Sequence, residues 1–197
     1  MPNWKKVIVS GSNAVLNHIT ASGHLTALNG GFTVDTAGST ELEVVGDISA
    51  SGGTVTANDL EVRYRKLDIT SNTDYDYDGD VVFFGSNGDN FEQGLVHHYD
   101  GAQWDRADYD LLASATGILA IALGDNVNNG MLIRGFFTLN DDYGSAGDPL
   151  YLGNNGEYNN TPPTGNGQYS RVLGTILNNT NGQIYFNPSS DWIEIES

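Results

Sequence analysis

Apolar residues are sparse in the first third of the chain and dense in the rest. From Ser10 to Asp59 only twelve of fifty residues are large aliphatics or aromatics, whereas 27 are Ser, Thr, Ala or Gly. Leu16, Ile19, Leu25, Leu28, Phe32, Val34, Leu42, Val44, Val45 and Ile48 recur too regularly for a flexible linker. No helical apolar period runs through them, so the pattern predicts short strands separated by turns. Ile19-Thr20-Ala21-Ser22-Gly23 is echoed by Ile48-Ser49-Ala50-Ser51-Gly52, and Leu25-Thr26-Ala27 by Val55-Thr56-Ala57. A segment with so few large apolar side chains does not enclose an interior of its own. The expectation is a repetitive β shaft ordered by association, with identical chains intertwined or stacked around a shared axis.

From Leu67 onward the pattern changes to short apolar runs. Strands are predicted at Val81–Phe84, Leu95–Tyr99, Ile118–Leu123, Met131–Leu139, Pro149–Leu152, Arg171–Leu177, Ile184–Phe186 and Trp192–Ile195. Asn129-Gly130, Asn155-Gly156, Asn166-Gly167 and Asn181-Gly182 supply turn positions that need positive φ. A short helix is predicted over Asp105–Ala115, where Ala107, Leu111, Leu112 and Ala115 would share one face. Many short strands with short connections predict an antiparallel β sandwich or barrel. The fold class is therefore all-β: a shaft over about 12–66, then a compact head domain over 67–197.

Charge sharpens this division. The 197 residues carry a net charge of −17. Residues 1–66 hold five basic and six acidic groups, and residues 67–197 hold three basic and nineteen acidic ones. A chain without clustered Lys and Arg is not expected to bind nucleic acid or anionic membranes. No apolar run reaches the length of a transmembrane helix. Lys5 and Lys6 precede only Val7-Ile8-Val9, shorter than the apolar core of a secretory leader. With no Cys there is no disulfide framework and no thiol chemistry.

The opening Pro2-Asn3-Trp4-Lys5-Lys6-Val7-Ile8-Val9-Ser10-Gly11-Ser12 resembles the start shared by virion proteins of tailed phages that infect cyanobacteria. Leu119–Gly124, Gly130–Gly135, Gly147–Leu152, Arg171–Gly174 and Ile184–Pro188 are similar to a C-terminal domain common in phage fibre proteins. The resemblance covers the opening segment and most of residues 80–197. It implies a virion location and a homotrimeric fibre. Residues 1–11 would attach it to other virion proteins in the capsid, neck, tail or baseplate. Trp4, Lys5, Lys6, Val7 and Ile8 are the expected docking residues, with Trp4 as a buried anchor beside two cations. A capsid decoration protein and a receptor-binding protein for host-surface glycan are the alternatives.

Three constellations bear on chemistry. Asp74, Asp76, Asp78 and Asp80 alternate through Asp74-Tyr75-Asp76-Tyr77-Asp78-Gly79-Asp80, a pattern that suits a hard cation such as Ca²⁺. The match to a calcium loop fails at the twelfth position, which is Gly85 rather than a bidentate Glu. The alternative is a solvated acidic loop. Trp104, Tyr99 and Tyr109, in a setting rich in Asp and Gly, suit stacking on sugar rings. The alternative for Trp104 is a core residue closing a hairpin. His97 and His98 would point to opposite faces of one strand, one into the core and one to the surface. No pair of carboxylates, nucleophile motif or phosphate loop stands out, so the chain is not expected to be an enzyme and needs no cofactor.

Overall fold

The computed structural model describes Thr56 and residues 65–68, 72–178 and 182–196. The docking residues Trp4 to Ile8, the repeats and nearly all of the shaft lie outside the described residues. The chain divides at Leu60/Glu61 into two units, and all of the elements below belong to the second.

The described chain is all-β. Its strands are β1 (Tyr77–Val82), β2 (Ser86–Asn87), β3 (Val96–Tyr99), β4 (Gln103–Arg106), β5 (Leu119–Ala122) and β6 (Met131–Thr138). They continue with β7 (Pro149–Leu152), β8 (Tyr158–Asn159), β9 (Tyr169–Ser170), β10 (Val172–Asn178), β11 (Gln183–Phe186) and β12 (Ile193–Glu194). The helix is a single turn, α1 (Leu112–Ala115). The eight predicted apolar runs all contain strand. The helix expected over Asp105–Ala115 is corrected: Asp105 and Arg106 belong to β4, and Leu111 and Leu112 are exposed. Only Ala107 and Ala115 of its expected apolar face are buried. Asp108 explains why the chain turns there, since its Oδ1 accepts from Asp110 N, an Asx turn that competes with helix.

Ten strands form one sheet in the order β2-β4-β3-β5-β6-β11-β10-β7-β8, with β1 added on β6, while β9 and β12 pair separately. The expectation of a purely antiparallel arrangement is corrected at β2 and β4, which are parallel. Strand β6 is the branch point. Its first residues pair with β5, Gly135 to Thr138 pair with β11, and β1 runs beside it from Met131 to Phe137. A strand has two hydrogen-bonding edges, so β5 and β11 share one edge of β6 and β1 takes the other.

The sheet curls until β8 and the turn before it reach the segments that flank β3 and β4. The Tyr158 hydroxyl of β8 donates to Gly94 O at 2.6 Å, and Gly156 N donates to Ala107 O. Inside the curl, Val96, Leu119, Ile121, Leu132, Phe137, Leu150, Leu173 and Ile184 belong to the main core. The other face of β5 and β6 is covered as well, by a second cluster of Trp104, Ala120, Ala122, Val127 and Met131. Burial on both faces explains why Leu119-Ala120-Ile121-Ala122 reads as a continuous apolar run and not as an alternation.

The β1–β6 pairing rests on facing glycines. Gly79 lies opposite Gly135, whose φ is +149°. A Cβ on Gly135 would stand 2.4 Å from Asp78 O, a backbone atom that has nowhere to retreat. Gly135→Ala is expected to lower stability by about 2 kcal/mol through backbone strain, read as a fall in the urea midpoint.

Candidate functional site

The aromatic residues expected to stack on sugars are used by the fold. Trp104 is fully buried, and its Nε1 donates to Phe84 O at 2.8 Å. Its ring packs 5.4 Å from Phe84 and 5.2 Å from Tyr99. Gly85 lies against it, where a Cβ would meet the indole at 3.1 Å. The glycan reading at Trp104 is therefore corrected, because neither face of the indole reaches solvent. Tyr99 is half-buried against Trp104, and Tyr109 packs against the main core.

The four alternating aspartates do not converge. Asp78 Oδ2 accepts from Asp68 N at 2.6 Å, and Asp80 is drawn into ion pairs. Asp74 sits elsewhere, in a small polar pocket with Asp141 and Asp142. Strand β1 is the physical reason: from Tyr77 the chain is extended, so it does not curl its oxygens around a point. Among the described residues, no group of three or more His, Asp or Glu side chains is placed to hold a metal ion.

His97 and His98 do lie on opposite faces of β3, as the period of a strand requires. His97 pairs with Ala120 of the second cluster, and His98 pairs with Leu119 of the main core. Both are buried, which corrects the expectation of one surface histidine; both sheet faces are covered here. His97 Nδ1 lies 3.0 Å from Leu95 O, while its Nε2 has no partner among the described residues. Burial pushes the His97 pKa down to about 4. Burial also lowers that of His98, against the nearby Asp105 and Asp100 carboxylates.

A cleft of about 650 Å³ opens on the described unit. Three pieces of chain build it: the β1–β6 pair, the turn between α1 and β5, and the segment after β11. Asp80, Arg134, Arg171, Ile118, Ile133 and Asn187 line it. Arg171 holds two of those pieces together. Its Nη1 donates to Ala115 O at 3.0 Å, its Nη2 to Gly117 O at 2.9 Å and its Nε to Ser189 O at 2.8 Å. It is only 5% exposed, and burial lowers its pKa from the ordinary value, yet a guanidinium stays a cation. All three acceptors are neutral carbonyls, and no ion pair of the described residues includes Arg171.

Arg134 meets Asp80 across the β1–β6 pair. Its Nε and Nη2 both donate to Asp80 Oδ2, at 3.0 and 2.7 Å. Asp80 Oδ1 accepts from Arg65, whose other nitrogen reaches Gly79 O. One carboxylate thus stands between two guanidinium groups, Arg65 and Arg134, while Arg171 lines the same cleft as Asp80 without pairing to it. Sequence reasoning missed this cluster. The available signal was Arg134 as a lone charge inside the apolar run Met131–Leu139. The pairing that brings Arg134 to Asp80 spans 54 residues and is not local information.

The fold and cleft define an all-β domain on a branched, curled sheet, with a cationic cleft on an acidic body. Comparison with family models, with curated proteins and with solved structures finds no match.

Proposed function

We propose that the chain is a non-enzymatic structural component of a bacteriophage virion. It is a trimeric fibre or fibre-like protein that docks by residues 1–11 and displays the 67–197 domain. One observation supports this reading above the others. The five segments similar to the phage fibre domain fall on β5, β6, β7, β10 and β11. Those strands are neighbours in the sheet, in the order β5-β6-β11-β10-β7. The resemblance therefore follows a contiguous structural unit and not scattered turns. The mechanism is assembly and display, in which symmetry repeats many weak apolar and β contacts. The polar side chains of the cleft walls fit such a role, since Arg171 and Asp80 join separate pieces of chain.

Deleting residues 2–11 tests the proposal. The shortened chain is expected to remain trimeric by sedimentation and to be lost from purified virions. A full-length chain that sediments as a monomer overturns the trimeric fibre. Virion density that places the chain between capsid subunits replaces the fibre with a decoration protein.

A further inference from the structure

We propose that the cleft between β1–β6 and the segment after β11 binds an acidic sugar, with the Arg134 and Arg171 guanidinium groups receiving its carboxylate. The inference goes beyond the virion reading, because it needs only the 67–197 domain. It stands on charge placement first. Residues 67–197 contain three basic residues against nineteen acidic ones. Two of the three, Arg134 and Arg171, line this one cleft. The third, Arg106, is paired with Glu92 elsewhere. Against the one carboxylate of the lining, Asp80, the Arg134 and Arg171 cations leave the cleft with net positive charge on an acidic body. A potential of that kind draws anions to one spot and repels them from the rest of the surface.

The second support is the buried cation. A guanidinium that is 5% exposed and bonded only to neutral carbonyls keeps its charge uncompensated. An anion entering the cleft supplies the missing counter-charge. Guanidinium groups match carboxylates through parallel N–H donors.

The third is the remaining lining. Ile118 is 51% exposed and, with Ile133, gives the cleft an aliphatic side. Asn187 and Ser190 add an exposed amide and hydroxyl. The volume of about 650 Å³ lies within the range of small-molecule sites. A hydroxylated ring bearing one carboxylate satisfies all three kinds of lining. A simple inorganic anion leaves the aliphatic side and the amide unused.

The test titrates D-glucuronate, D-glucose and inorganic phosphate into the full chain, with binding followed by calorimetry and NMR. Saturable glucuronate binding is expected with a Kd of about 1 mM, as suits so small a ligand. Glucose is expected to bind about tenfold more weakly, and added salt to weaken glucuronate but not glucose. Arg134→Gln is expected to weaken glucuronate about tenfold while the spectrum stays that of the folded chain. Arg171 is left intact because it builds the walls; Ile118→Asp instead sets a carboxylate at the rim and is expected to abolish binding. Equal affinity for glucose, or for phosphate, overturns the proposal, as does an Arg134→Gln chain that binds normally. Loss of self-association in Ile118→Asp also overturns it, by assigning the cleft to a second copy of the chain. None of these outcomes touches virion incorporation, so the two proposals fail separately.

Discussion

Trp104→Ala is expected to cost about 3–5 kcal/mol, the range for emptying a buried aromatic site. The side chain is fully buried in the cluster with Ala120, Ala122, Val127 and Met131. Its neighbours are poorly placed to collapse into the space. Gly85 has no side chain to offer, and Ala120 and Ala122 are fixed in β5, paired on both sides. The truncation also removes the donor to Phe84 O. Trp104→Phe separates the two effects. It keeps most of the volume and is expected to lose about 1–2 kcal/mol, the scale of one hydrogen bond with its acceptor left behind. Urea unfolding followed by far-UV circular dichroism reads both. A Trp104→Ala chain with an unchanged midpoint would contradict the burial described here. The same variant tests the sugar assignment: glucuronate binding to the folded fraction should persist, because the cleft lies elsewhere.

Acidification from pH 7 to pH 4 is expected to remove about 3 kcal/mol of stability through His97 alone. The sign follows from burial. The folded imidazole titrates at about 4, whereas its ordinary value is 6.5. Between those values the unfolded chain binds a proton that the folded chain refuses, so stability falls as pH falls. Above pH 6.5 the contribution is complete, and below about pH 4 it is gone. Phe91 packs on the ring at 4.5 Å and Arg106 lies opposite in β4; the Leu95 carbonyl and Asp105 favour the charged form, but burial outweighs them. His97→Asn keeps a donor near Leu95 O and does not titrate. The stability difference between the wild-type chain and His97→Asn is expected to shift against the wild type by about 3 kcal/mol across this window. Measuring the difference between the two chains cancels the relief of carboxylate repulsion that both share. A constant difference would place His97 in a solvated setting.

Much of the sheet was legible in the sequence. The eight apolar runs became strands because a run of β-branched and aromatic residues between turn signals has few other ways to bury itself. The glycines at 130, 156, 167 and 182 all take positive φ. What escaped is what depends on distant partners. Trp104 sits among Asp, Gly and Gln and reads as a loop residue, yet pairing with Tyr99 across a tight turn carries it inside. One of His97 and His98 reads as a surface residue only if one sheet face is open. The alternating aspartates describe a calcium loop in one dimension, and an extended β1 in three. The cleft was hidden for the same reason. Asp80, Arg134 and Arg171 are far apart in the chain and meet only because β6 accepts β1 on one edge while β11 and β10 follow on the other.

The branch at β6 also sets the order in which a growing chain becomes safe. As the chain is synthesised, β1 is complete well before β6 appears, so one edge of β6 is covered as soon as it forms. The stretch from Gly135 to Thr138 then waits for Gln183 to Phe186. Until those residues emerge, an apolar strand edge carrying Phe136 and Phe137 lies open, a template for any neighbouring nascent chain. If three copies assemble from one message, that interval is when correct partners and wrong ones compete for the same hydrogen bonds.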